Sequence, residues 1–370
     1  MNECNIVFDS KYYIDYMPPK NTDKKTKGQF YTVNSDYILE GLPKTPPPGT
    51  RCIIEPFAGK GDLLNWMEPG LPVETYDIDP QVAGITQRDT LLDPPNYANA
   101  WIITNPPYLA RNKCDNKRVF DLYDTNDLYK CFITSLTAQP EPCMGGILII
   151  PAGFFLSPRP LDVRCRDDFM AKYKITCVKY FEETVFPDTA TTVVAFSFEK
   201  SSVAGALIEQ SVPWISMPSR QEHTFAMTKE NSWIIGGEIY RLPVPDNIRI
   251  KRYVEGQTTQ QGEQITNILL HALDSGTQAG GRVCLEYREG YIYPAKDCSR
   301  TYATLCIQGR TLTVDEQKKI CEEFNSLIEK KREDTWSLFL PQYRESKEYA
   351  RKRIPFELAY SIVLHIIGRW

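Results

Sequence analysis

The chain has 370 residues, a formal net charge of −4, 42% hydrophobic and 12% aromatic residues. That composition belongs to a folded globular protein, and the length exceeds what one ordinary core supports, so two domains are expected. The slightly acidic balance excludes bulk attraction to a polyanion; any phosphate contact must come from local basic patches.

Residues 1–40 hold a lysine cluster (Lys20, Lys24, Lys25, Lys27) and then Gly28-Gln29-Phe30-Tyr31-Thr32. No charged segment followed by an apolar stretch opens the chain, which predicts no secretory signal. Leu42 to Gly49 carries four prolines and reads as a stiff linker. Beyond it, apolar runs predict strands over 51–56, 73–78, 84–88, 100–104, 145–151, 175–181 and 191–199. Helical patterns fall near 61–68, 126–138 and 162–173. Alternating strands and helices predict a mostly parallel, seven-stranded sheet covered on both faces. Only Glu182 to Ala190 separates the last two strands, too little for a crossover helix, so that pair is expected to be antiparallel.

After Lys200 the chain reads as irregular and proline-punctuated to about residue 260. Strands are predicted at Val283–Tyr287 and Thr304–Gln308, and helices near 314–332 and 343–366. The longest apolar stretch, Phe356 to Ile367, contains Glu357, Ser361 and His365 and is too short to cross a bilayer. The 11 cysteines are scattered and never spaced C-x-x-C. This argues against zinc or a disulfide framework and for a reduced, cytoplasmic or other intracellular compartment with no metal.

Two loops carry the chemistry. Glu55-Pro56-Phe57-Ala58-Gly59-Lys60-Gly61-Asp62 follows the apolar run 51–54. A loop at the carboxyl end of a parallel strand faces the crevice where α/β folds bind ligands. Gly59 and Gly61 let the backbone approach a bulky ligand, and Glu55 can accept bonds from an ammonium group. An ordinary glycine turn is the alternative. About 20 residues on, Asp77 stands at a strand tip, placed for ribose hydroxyls, followed by Ile78. Asp79, before Pro80, reads as the cap of a following helix. Asp89, followed by Thr90, can accept from an adenine amino group, or is a turn residue.

The second loop is Asn105-Pro106-Pro107-Tyr108, after the apolar run 100–104. An aromatic amine is a weak nucleophile because its lone pair is delocalised into the ring. Two fixed acceptors, the Asn105 side chain and the Pro106 backbone, can hold both of its N–H bonds. The nitrogen then pyramidalises, with its lone pair toward a methyl donor. Prolines stiffen the loop and lower the entropy cost of that geometry. An amide is no general base, so Asn105 would orient the amine and stabilise developing positive charge. Tyr108 would stack on the target ring.

In this order, the segments resemble a DNA adenine-N6 methyltransferase of the γ arrangement, which uses S-adenosylmethionine. Gln29, Phe30, Tyr31 and Thr32 resemble the N-terminal motif at the methionine end of the cofactor. Glu55 to Asp62, Asp77, Asp89 and Asn105 to Tyr108 are similar to the methionine, ribose, adenine and catalytic segments. Asp127 to Phe132 resembles the helix bordering the cofactor adenine, and Gly145 to Pro151 the strand after it. Val185-Phe186-Pro187 resembles the segment that supplies a second aromatic, Phe186, to a flipped base; a core aromatic beside the strand hairpin is the alternative. Asp274 to Thr277 and Ser337 to Arg353 resemble C-terminal regions of algal-virus modification enzymes.

The resemblance implies a Rossmann-like class I fold with a smaller α+β target-recognition region. The expected divisions are 1–48, 49–200 and 201–370. It also implies double-stranded DNA as partner, a short palindromic site, a monomer, and a companion restriction endonuclease acting separately. Arg282, Arg288, Arg300, Arg310, Arg351, Lys352 and Arg353 are candidates for DNA contact, the last three in a helix-like basic stretch. Solvated ion pairs are the alternative for them. The rival functions are methylation of a protein glutamine amide or an RNA guanine, and a non-catalytic DNA-binding subunit. A fused nuclease is disfavoured, because Pro187-Asp188 and Glu199-Lys200 lack the E-x-K spacing.

Overall fold

The computed structural model describes residues 32, 34–186, 191–202, 207–257, 260–274, 282–343 and 351–370. Its main sheet is built from short apolar runs in the first half of the chain. Strands β1 (Ile53–Glu55), β4 (Trp101–Thr104) and β5 (Gly145–Pro151) are buried at every position. That is the signature of strands covered on both faces. They pair in parallel, and β2 (Val73–Asp77) and β3 (Thr86–Gln87) extend the sheet from β1. Strand β6 (Tyr173–Phe181) and β7 (Val193–Lys200) are antiparallel to one another, as the short connection requires, and β7 runs antiparallel to β5.

Two further strands correct the count of seven. β8 (Glu209–Met217) pairs in parallel with β6, and β9 (Gln221–Thr228) returns antiparallel. The sheet therefore has nine strands, in the order β3-β2-β1-β4-β5-β7-β6-β8-β9. Residue 213 is a proline, which suggested irregular chain, but Pro213 sits on the exposed side while Val212 and Trp214 point into the core. The main core accordingly continues past residue 200 to Trp233 and Ile235.

Helix α1 (Ser35–Leu39) precedes the sheet, and α2 (Arg118–Tyr123) and α3 (Leu128–Ala138) follow β4. α4 (Gly153–Leu156) and α5 (Pro160–Met170) follow β5. The expected helix at 61–68 is a single 3-10 turn, Asp62–Trp66. No helix follows Pro80, so Asp79 is not a helix cap.

A second core lies in the C-terminal part. Strands β10 (Arg249–Arg252), β11 (Glu263–His271), β13 (Cys284–Tyr287) and β14 (Tyr302–Gln308) form an antiparallel sheet ordered β10-β14-β11-β13. Helix α6 (Val314–Thr335) packs on β13 and β11 and opens with a capping box, Thr313 and Glu316 satisfying each other's amides. The expected helix over 343–366 is broken. Gln342–Tyr343 and Arg351–Arg353 are strands β15 and β16, which join β12 (Leu273–Asp274). Pro355 then starts helix α7 (Phe356–Gly368). At the seam between the cores, Trp336 packs edge-on against Phe225 of β9 with ring centroids 5.0 Å apart. Among the described residues no helix is long and apolar enough to cross a membrane.

Candidate active site

The loops leaving β1, β2 and β4 open onto one cavity of about 550 Å³, a size that suits a small-molecule ligand. Thr32, Glu55, Phe57, Ala58, Gly59, Asp77, Ile78, Asp89, Thr90, Asn105 and Pro107 all line it. Residues spread over more than seventy positions thus meet at the carboxyl ends of parallel strands, where α/β folds place ligands.

The glycine turn is held by backbone and carboxylate together. Gly59 and Gly61 have φ of 55° and 80°, the left-handed region that a Cβ disfavours. The amide of Gly61 donates to the Ala58 carbonyl at 2.6 Å. The Gly59 amide donates to Asp77 Oδ2, and the Asp79 amide to Asp77 Oδ1, each at 2.8 Å. Asp77 therefore fixes the turn as well as facing the cavity. Thr90 Oγ1 donates to the Pro56 carbonyl at 2.9 Å, tying the third segment to the first. Asp89 Oδ1 accepts from the amides of Leu91 and Leu92 at 3.1 and 3.2 Å. Ile78 is 52% exposed beside them, an apolar side chain left open to a flat ligand. The ring of Phe57 packs edge-on against Phe132 of α3 at 5.2 Å.

Glu55 is the unusual member. It is 1% exposed, and its Oε2 has no hydrogen-bond partner among the described residues. Burial, then the nearby Asp62 and Asp77, push its carboxyl well above the usual range. A buried carboxylate without a partner is costly, and a cationic ligand would supply the missing charge. Glu55, Asp62, Asp77, Asp79 and Asp89 outnumber the basic Lys60 and Arg88 around the cavity, so its field favours a cation.

Asn105 stands at the cavity edge with its amide held at both ends. Its Nδ2 donates to Thr32 Oγ1 at 3.2 Å, and its Oδ1 accepts from the Tyr108 hydroxyl. The same hydroxyl can donate to the Ile149 carbonyl at 2.6 Å. Pro106 and Tyr108 do not line the cavity. Tyr108 is 7% exposed and packs edge-on against Tyr129 at 6.4 Å. Burial raises its hydroxyl pKa well above the ordinary range. Phe186 is 1% exposed and belongs to the main core. Neither ring has an exposed face in this conformation.

Below the loop, Leu128 of α3 lines the cavity and Asp127 precedes it. Burial raises the Asp127 carboxyl to about 6, and its Oδ1 has no hydrogen-bond partner among the described residues. Lys130 pairs with Asp162 inside the protein and donates to Asn126 Oδ1 at 2.8 Å. Sequence reasoning missed the wall formed by Cys114, Asn116, Val119 and Phe120. These residues have no motif; they come from the start of α2 and the segment just before it. Gln29, Phe30 and Tyr31 lie outside the described residues. No group of three or more metal-ligating side chains occurs among the described residues.

Three of the C-terminal basic candidates are held in ion pairs. Arg282 pairs with Glu329, Arg288 with Glu286 and Arg310 with Glu316, at 2.7, 2.8 and 2.6 Å. Arg300 is exposed, and Arg353 donates to its carbonyl at 3.4 Å. Lys352 is buried, its ammonium donating to the Trp336 carbonyl at 2.8 Å, so it does not face a phosphate. Period-two placement on β16 turns it inward, where the helix-like reading made it a candidate for DNA contact. The Arg351 side chain lies outside the described residues.

No protein-family model matches the chain, and no curated protein matches it. Among solved structures it is similar to a chain from a type I restriction-modification system, with a TM-score of 0.41 and 14% identity over 52% of this chain and 45% of that one. It is also similar to the M protein of the type I restriction enzyme EcoKI, with a TM-score of 0.36 and 15% identity over 47% of this chain and 46% of that chain. A third is a type I restriction-modification methyltransferase subunit from Streptococcus thermophilus, with a TM-score of 0.35 and 15% identity over 51% and 48%. The chain spans less than half the length of each of these three.

Proposed function

We propose that the protein is an S-adenosylmethionine-dependent methyltransferase that modifies the N6 amine of adenine in double-stranded DNA. The observation that carries this reading is the pairing of Glu55 with Asn105 on one cavity: an unpartnered buried carboxylate for a cation, and an amide at the rim for an amine. The residues fit the cofactor. Glu55 and Thr32 would hold its methionine end, Asp77 its ribose, and Asp89 with Ile78 its adenine. When bound, the cofactor supplies an electrophilic methyl group on sulfur.

The chain's own residues perform the rest. Asn105 Oδ1 would accept one N–H of the target amine, and the bond from Nδ2 to Thr32 fixes which end of the amide faces it. The Tyr108 hydroxyl has one proton and two acceptors, Asn105 Oδ1 and the Ile149 carbonyl, so it can turn to Ile149 without moving the ring. Extruding a base from a duplex costs a few kcal/mol. Tyr108 is buried, so its stacking on the extruded base would require the 105–108 loop to open. After transfer the proton on nitrogen passes to solvent, since Asn105 cannot take it.

The test is methyl incorporation from labelled S-adenosylmethionine into unmodified duplex DNA, release factor and RNA in parallel. Label recovered as N6-methyladenine from the duplex supports the reading. Label in a glutamine amide or a guanine assigns one of the rival amine substrates. Cofactor binding with no transfer to any of them leaves the non-catalytic subunit.

A further inference from the structure

We infer that Lys179, on β6, is a positioning residue for the cavity, acting at a distance through helix α1. This rests on the reading of that cavity as a cofactor site. Thr32 meets Asn105 on the cavity wall, and only two residues separate it from the start of α1. The placement of α1 therefore sets the placement of Thr32.

A helix of five residues has little stability of its own, yet α1 is fastened from several directions. Lys179 is 1% exposed and donates to the carbonyls of Tyr37 and Glu40, each at 2.8 Å. Those carbonyls belong to the last turn, where helix acceptors lack partners. The same ammonium lies 5.8 Å from the ring centroids of both Tyr37 and Phe181. The Tyr37 hydroxyl donates to Glu183, just past β6. Arg220, in the turn between β8 and β9, grips the Glu40 carboxylate with both nitrogens at 3.2 and 2.8 Å. Ile38 and Leu39 are fully buried, and α1 packs on the 3-10 turn 62–66 beside the glycine loop. Lys179 thus stands where an apolar residue would fill the core. Its ammonium is used on backbone atoms of α1 and not on substrate.

The experiment compares wild type, Lys179→Met and Tyr37→Phe. It reads calorimetric affinity for S-adenosylmethionine, the Michaelis constants for cofactor and DNA, and hydrogen exchange across residues 34–42. Lys179→Met is expected to weaken the cofactor at least about tenfold, the scale of a lost charge-assisted hydrogen bond. The Michaelis constant for DNA stays within about twofold, and exchange in α1 rises. A folded Lys179→Met that binds cofactor as wild type does overturns the inference. If that variant fails to fold, Tyr37→Phe decides: faster α1 exchange with weaker cofactor binding supports the clasp, and unchanged values overturn it. Failure of wild type to bind the cofactor refutes the functional reading instead; the clasp is then judged on whether Lys179→Met shifts the Asn105 side-chain amide resonance.

Discussion

Glu55 in the first core and Lys352 at the seam with the second are both buried charged side chains, yet their surroundings differ. Lys352 donates to the Trp336 carbonyl and lies over the Tyr180 ring at 5.0 Å. Nearby, Asp274 is held by Arg332 at 2.9 Å and by Ser337 at 3.3 Å. Burial lowers the Lys352 pKa while Glu182 and Asp274 oppose that, and the cluster answers its own charge. Glu55 faces a cavity and has an oxygen that none of the described residues bonds. A buried charge satisfied by its own chain marks structure, and one left for an outside partner marks a site.

That contrast can be broken by substitutions that move function and stability separately. The largest expected effect is on turnover. Asn105→Ala should lower kcat by about 10²–10³-fold, the usual scale for removing one preorganised polar group. Cofactor affinity and the thermal midpoint should change little, which steady-state kinetics with calorimetry and thermal unfolding would check. Lys352→Met should do the reverse. It leaves the Trp336 carbonyl without its charged donor and should cost about 1–3 kcal/mol of stability in denaturant unfolding, with cofactor affinity held.

Glu55→Gln sharpens the comparison further. The folded pKa of Glu55 is raised above its unfolded value, so the ligand-free protein gains most from this group below the unfolded pKa. That gain is lost as pH rises through the folded pKa. The glutamine variant should therefore flatten the fall of thermal stability with pH, while weakening S-adenosylmethionine binding about tenfold or more. The smallest effect is expected at Gly61. Its φ is 80°, and a Cβ added there would have no neighbour within 4 Å, so Gly61→Ala meets only backbone strain, about 1 kcal/mol in unfolding experiments.

The same two regions show what the sequence can convey. Strands β1, β4 and β5 were legible because uninterrupted apolar runs bounded by glycine and proline have few other solutions. The cavity residues were legible too, since the loops after strands carry unusual residue types at fixed places. Strand β8 was hidden by Pro213, whose missing amide matters little at an exposed position. The basic run before Pro355 looked helical because charge spacing alone cannot tell a helix from a short strand. Tyr108 shows a further limit: a motif names the residue but not the packing that turns its ring inward. The wall from α2 and the clasp on α1 depend on tertiary contacts between distant segments, for which neither segment carries a local sign.

The most direct measurement is calorimetric titration of S-adenosylmethionine into wild type and Glu55→Gln, in mildly acidic buffers of different ionisation enthalpy. Burial raises the Glu55 carboxyl above its usual range, so a ligand cation that takes it as partner favours its ionised form and with it proton release. One equivalent bound by wild type with proton release, and weaker binding without that release in the variant, is the expected result. No binding by wild type, or equal affinity and equal proton exchange in both proteins, would contradict it.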